Sequence, residues 1–231
     1  MTPFYADDLI TLYHTKCEDY MAECADKQFE LACCDPPFGD NCKRQGGSSR
    51  HGSHGWKAIT SENFDKWNIT PSAEYFKELF RVSQNQIIWG ANYFTQYLPS
   101  SMGWIFWDKG QDICMSDGEL AFTSFNVALR RVELNRCYIK EHGGIIHSSQ
   151  KPVRLYRWLL QNYAKPGWTI FDSHGGSLSI AIACHELGFK LVACEMDESY
   201  LVAAVNRIKN YLKQPKWFKP SAPVAEQTTL F

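Results

Sequence analysis

The sequence predicts an α/β protein: a mostly parallel sheet with helices on both faces. Three observations carry that expectation. Short apolar runs, such as Phe29-Glu30-Leu31-Ala32-Cys33-Cys34 and Lys190-Leu191-Val192-Ala193-Cys194, have strand length and strand composition. Between them lie stretches with helical apolar spacing, such as Pro71 to Val82 with Tyr75, Phe76, Leu79 and Phe80 on one side. The alternation repeats along the chain, and repeated strand–helix–strand units close into parallel sheets.

Taken in order, Leu9 to Tyr13 reads as a strand, followed by a helix through Glu18 to Met21 and the strand ending at Cys34. A long loop, Asp40 to Ser61, follows; it is rich in Gly and Ser and carries Lys43, Arg44, Arg50, His51, His54 and Lys57, with no acid between Asp40 and Glu62. After the helix ending at Val82, Gln86 to Gly90 is a buried strand, Ala91 to Phe94 begins a turn and helix, and Gly103 to Lys109 is an aromatic strand. Glu119 to Ala128 and Val132 to Ile139 are expected to pair antiparallel around Arg130 and Arg131. The loop His147 to Pro152 opens a helix from Val153 to Tyr163, because Pro suits the first turn after Ser, and Lys165-Pro166-Gly167 ends it. Thr169 to Phe171 is a strand, Leu178 to Leu187 a helix stopped by Gly188, Lys190 to Cys194 a strand, and Tyr200 to Leu212 the last helix.

The length of 231 residues and the 45% hydrophobic content fit one domain with a large core. No apolar run approaches a membrane span, and the first residues lack a signal-peptide pattern. Nine cysteines without any Cys-x-x-Cys pair point to neither zinc nor a disulfide frame, and so to a reducing, cytoplasmic setting with no metal. A net charge of −1 requires any nucleic-acid contact to come from local patches, of which the basic loop is the first candidate.

The chemistry concentrates at Asp35-Pro36-Pro37-Phe38-Gly39. Two prolines stop the preceding strand stiffly and present a carboxylate beside an aromatic ring. Asp35 and the Pro36 carbonyl can both accept hydrogen bonds from a ring-bound NH2, and Phe38 can stack on the ring. Holding both protons of such a delocalised amine turns its lone pair toward an electrophile, which favours the transition state. The second focus is Asp172-Ser173-His174-Gly175-Gly176-Ser177, a strand end and glycine turn, with Glu195 roughly 20 residues beyond it, the spacing at which an acid meets ribose hydroxyls. A full Gly-x-Gly-x-x-Gly fingerprint and a P-loop are both missing, so an adenosine-type ligand without a pyrophosphate fits best.

The order Asp35 to Phe38, then Lys151-Pro152, then Phe171 to Ser177, then Glu195-Met196-Asp197 resembles the DNA amino-methyltransferases. Within them it is similar to the permuted class whose catalytic tetrapeptide precedes the S-adenosyl-L-methionine-binding half; Tyr13-His14 also matches that family's opening. The resemblance implies a Rossmann-like, S-adenosyl-L-methionine-dependent fold with a mostly parallel seven-stranded sheet. It implies Asp35, Pro36, Pro37 and Phe38 as the catalytic turn. For the cofactor it implies Cys34, Asp35, Ser149, Lys151, Asp172, Ser173, His174, Gly175, Gly176, Ser177, Glu195 and Met196. Ser173, His174 and Leu178 depart from the family's usual Asp-Pro-Phe-x-Gly-Ser-Gly turn, and Leu178 adds bulk where the helix packs on the strand. His174 is expected to line the pocket rather than act as a base.

The implied substrate is adenine in double-stranded DNA, flipped out of the helix; cytosine-amine methylation and a DNA-binding module with a decayed cofactor site are the alternatives. The expected organisation is a catalytic domain over 1–213, containing a basic mobile loop (39–63) and a short recognition region (110–147), and a tail over 214–231. Lys43, Arg44, Arg50, Lys57, Arg130 and Arg131 are expected to touch DNA. Gln227, Leu230 and Phe231 resemble the peptide that binds the bacterial sliding clamp. A restriction-modification system, a phage or a stand-alone role all fit a monomer or homodimer of this kind.

Overall fold

The computed structural model describes residues 1–39, 69–111, 116–147 and 149–214. The basic loop residues Lys43, Arg44, Arg50 and Lys57, and the tail residues Gln227, Leu230 and Phe231, lie outside them.

Nine strands form one sheet: β1 (Tyr5–Ala6), β2 (Ile10–His14), β3 (Phe29–Cys34), β4 (Ser83–Trp89), β5 (Trp104–Asp108), β6 (Gly118–Thr123), β7 (Arg130–Glu133), β8 (Thr169–Asp172) and β9 (Lys190–Glu195). Their order is β1-β2-β9-β8-β3-β4-β6-β5-β7, and only β1 and β6 run against the rest. The mostly parallel α/β class is as expected; the strand number is nine among the described residues, not seven. The antiparallel pair expected around Arg130 and Arg131 does not form. β6 instead inserts between β4 and β5, antiparallel to both, while β7 joins β5 in parallel and Arg136–Lys140 coils into a 3-10 turn. The stretch after β4 likewise forms two short 3-10 turns, Ala91–Tyr93 and Thr95–Tyr97, rather than a helix.

Among the described residues, five α-helices cover the sheet: α1 (Cys17–Glu23), α2 (Ala73–Val82), α3 (Val153–Tyr163), α4 (Ser179–Leu187) and α5 (Glu198–Lys213). Side chains of β3 alternate between two cores, since successive strand residues point to opposite faces. Leu31 and Cys33 join Leu159, Ile182 and Ile208 from α3, α4 and α5, whereas Ala32 and Cys34 join Met21, Phe76 and Leu79 from α1 and α2; Phe29, at the strand's first residue, departs from the alternation and packs in the second core. Local chemistry sets the helix ends. Asp197 caps α5 by accepting from the Ser199 and Tyr200 amides, and Ser72 caps α2 through the Tyr75 amide. Among the described residues no helix is long and apolar enough to cross a membrane.

Candidate active site

The parallel strands β2, β9, β8 and β3 end along one edge, where open α/β sheets bind ligands. A cavity of about 580 Å³ opens there. It is lined by Asp35 and Pro37 after β3, by Ser149 and Lys151 before α3, by Ser173 to Ser177 after β8, and by Glu195 and Met196 after β9. The fold thus brings together residues from four separate stretches of sequence. Cys34 and Asp172 stand one layer below: Cys34 is fully buried among the α1 and α2 side chains, and Asp172 is buried at the end of β8.

Glu195 closes the cavity at β9. Its Oε2 accepts from the Gly176 amide at 2.7 Å and its Oε1 from the Asp197 amide at 2.8 Å, so the carboxylate is held rigidly against the glycine turn. Burial raises its pKa against the pull of those amides. Gly176 takes φ +50°, a conformation that glycine adopts without a Cβ penalty. Leu178 takes φ 49° as well and is buried, its side chain filling the space beside Gly175. This is where a non-glycine residue carries left-handed strain, ~1–2 kcal/mol. Asp172 accepts from the His174 amide at 3.1 Å, and burial pushes its carboxyl up to about 7.

His174 faces the cavity but is chemically quiet. Burial drops its pKa to about 4, and its ring bonds Ser173 Oγ at 2.8 Å while Ser173 bonds Tyr75 Oη at 2.7 Å. A neutral imidazole wedged in that chain lines the wall. Across the cavity, His147 Nδ1 lies 2.9 Å from Ser149 Oγ, and burial with the nearby Lys151 charge lowers its pKa to about 4.

The β3 turn has its own cradle. Phe38 stacks on Tyr93 at 5.0 Å between centroids, and Gly90 makes room for the ring: a Cβ there would stand 2.0 Å from Phe38 Cε1. Lys151 Nζ pairs with Asp35 Oδ2 at 2.5 Å and with Glu119 Oε2 at 3.1 Å. Burial, reinforced by Glu119 and opposed by Lys151, leaves the Asp35 pKa above the usual carboxylate range. Asp35 Oδ1 has no hydrogen-bond partner among the described residues. Buried acceptors are rarely left so, and those that are call for an explanation. Glu119, Lys109 and Tyr93 are site neighbours that sequence reasoning missed. A lone acid inside the apolar strand Gly118–Thr123 was the one available signal.

Of the basic residues on described strands, Arg130 and Arg131 are exposed on edge strand β7, and Arg131 pairs with Asp108 at 2.7 Å and Glu133 at 2.8 Å.

A sheet with a glycine turn after β8, an acid closing β9 and an acid–proline–proline–aromatic turn after β3 defines an S-adenosyl-L-methionine-dependent methyltransferase. The chain belongs to the DNA methylase family of N6 and N4 amino-methyltransferases, which matches residues 60–206. Asp35 to Phe38 precede the matched stretch. Solved structures share the fold at low identity. PvuII DNA methyltransferase, described as cytosine-N4-specific, aligns with TM-score 0.59 and 12% identity over 89% of this chain and 88% of its own. The M1.HpyAVI complex with S-adenosyl-L-methionine gives 0.54 and 15% over 87% and 100%. A putative DNA modification methylase from Thermus thermophilus, also complexed with S-adenosyl-L-methionine, gives 0.55 and 12% over 87% and 95%.

Proposed function

We propose that this chain transfers a methyl group from S-adenosyl-L-methionine to the exocyclic amine of adenine in double-stranded DNA. The observation that carries the reading is Asp35 Oδ1, an acceptor without a partner among the described residues, beside the cavity. The cavity fits the donor: its volume suits a ligand of that size, Glu195 is placed for ribose hydroxyls, and buried acids suit a cation. Ser149, Lys151 and the turn Ser173 to Ser177 would wall the remainder, with Cys34 and Asp172 supporting from below. That fit weighs against a decayed cofactor site.

A base inside a duplex is out of reach, so the target base flips into the site. Asp35 Oδ1 and the Pro36 carbonyl accept the two amine protons, and Phe38 with Tyr93 supplies the stacking wall. When bound, the donor supplies an electrophilic methyl on a sulfonium sulfur. The nitrogen–carbon bond forms as the carbon–sulfur bond breaks, and the amine then gives one proton to Asp35, whose raised pKa makes it a competent acceptor. A second reading, methylation of the cytosine amine, uses the same geometry and is favoured by the specificity in the name of the PvuII relative.

The finer assignments rest on sequence. Lys43, Arg44, Arg50, Lys57, Arg130 and Arg131 would neutralise phosphates, and Gln227, Leu230 and Phe231 would dock on a sliding clamp. The catalytic domain would span 1–213 of a cytoplasmic monomer or homodimer.

Labelled donor incubated with unmethylated genomic DNA, followed by nucleoside analysis, tests the function. Wild type yields N6-methyladenine and Asp35→Ala yields none. Methylcytosine would replace the base but keep the mechanism; product formation undiminished in Asp35→Ala would remove the mechanism.

A further inference from the structure

Four charged side chains from four segments converge under the amine site. Asp35 follows β3, Lys109 follows β5, Glu119 lies on β6 and Lys151 precedes α3. Lys151 Nζ lies at ion-pair distance from both carboxylates, though Glu119 Oε2 accepts no hydrogen bond among the described residues, and Lys109 Nζ lies 2.8 Å from the far oxygen of Glu119, Oε1. Trp89 and Trp107 lie within cation–π reach of the two ammonium groups, 5.2 Å from Lys151 and 5.3 Å from Lys109. Two acids and two bases balance, which is how charges survive this degree of burial.

The arrangement is asymmetric where it matters. With Asp35 as its one counter-charge, the Lys151 ammonium would be free to centre on that carboxylate and engage both oxygens. Glu119 draws it to one side. Lys109 in turn keeps Glu119 from swinging toward other donors. Oδ2 of Asp35 is therefore ion-paired with Lys151 while the buried Oδ1 has no hydrogen-bond partner among the described residues.

We infer that Glu119, held by Lys109, is a positioning residue that pins Lys151 against one oxygen of Asp35 and so keeps the other open for the incoming amine. This rests on the reading of Asp35 as the amine's acceptor. Removing Glu119 lets the ammonium settle fully on Asp35, closing the acceptor and making the carboxylate harder to protonate. Removing Lys109 has the opposite electrostatic sign, because a nearby cation is lost. The other titratable groups facing this cluster are Asp172 and Tyr156 on the Asp35 side, and Cys33 and His147 on the Lys151 side.

The test is a direct titration of the Asp35 carboxyl carbon by 13C NMR in the full chain without ligands, the signal assigned by its loss in Asp35→Asn. Glu119→Gln lowers the midpoint by about one pH unit. Lys109→Met raises it by less, and Lys109→Arg, which keeps the charge, leaves it in place. In turnover, Glu119→Gln loses kcat about tenfold with the KM for the donor little changed. Midpoints that stay put, or that move in the same direction in Glu119→Gln and Lys109→Met, overturn the inference. Should Glu119→Gln fail to fold, the Lys109 pair still decides: Met must shift the midpoint upward and Arg must not. Because the titration needs no turnover, it is independent of the proposed reaction; full methyl transfer by Asp35→Asn would remove the role of Asp35 and this inference with it.

Discussion

At the scale of single residues, the site is built from acids whose surroundings drive them in different directions. Glu119 is pushed up by burial, but Lys151 and Lys109 outweigh that and hold it at about 2. Asp172, on which Lys151 acts only weakly, rises through burial to about 7. A cationic donor favours ionised Asp172, so binding and titration are linked. The dissociation constant for S-adenosyl-L-methionine falls about tenfold between pH 6 and pH 8. Asp172→Asn flattens that dependence. Calorimetric titration across this range measures both; a wild-type affinity that does not vary with pH refutes the linkage. The residues readable in the sequence were those whose chemistry is local: an acid before two prolines, a glycine pair, an acid closing a strand. Glu119 and Lys109 were not readable, because their meaning arises from strand register. Glu119 lies opposite Trp107 in the β5–β6 ladder, and no spacing in the chain announces that pairing.

At the scale of elements, β3, α3 and the β8–α4–β9 unit were legible because apolar period, proline and glycine agreed at every boundary. Phe29–Cys34 and Val153–Tyr163 have the bounds expected. The aromatic strand β5 was legible, but the pairing of β6 and β7 was misread. Arg130-Arg131 looks like a polar hairpin tip, yet the loop before it is long enough to let β7 pass to the outer edge of β5 and run parallel to it. Sequence periodicity gives the strands but not their neighbours. The end of β4 offers a sharp test of how an element supports the site. Gly90 takes φ +64° against the Phe38 ring, so Gly90→Ala costs strain and displaces that ring. It destabilises the fold by about 1–3 kcal/mol, and kcat falls at saturating DNA while donor affinity is kept. Denaturant titration and single-turnover kinetics give the two numbers; an unaltered kcat would separate Phe38 from catalysis.

At the scale of the whole molecule, stability follows the buried titrating groups. His147 and His174, both held near 4, contribute stability that is complete above their unfolded value of 6.5 and is lost as pH falls through 4. Asp172 has the opposite sign: its raised pKa contributes below 3.8 and is lost as pH rises through about 7. Taken alone, the two histidines make the melting temperature lower at pH 5 than at pH 7, a difference that the raised acids Asp35, Asp172 and Glu195 oppose. His174→Phe, which restores the residue usual at that turn, reduces that difference, and thermal melts at the two values check it. The sheet order has a consequence for how the molecule comes into being. Glu30 on β3 accepts from the amide of Thr169, the first residue of β8, a contact between residues 139 positions apart. Such pairings are slow to form, because long chain loops must close first. During synthesis the Asp-Pro-Pro-Phe turn therefore leaves the ribosome long before the glycine turn and Glu195 that share its cavity exist. The nascent chain carries this turn alone, and the candidate site is complete only with the last strand, β9, which fills the gap between β2 and β8.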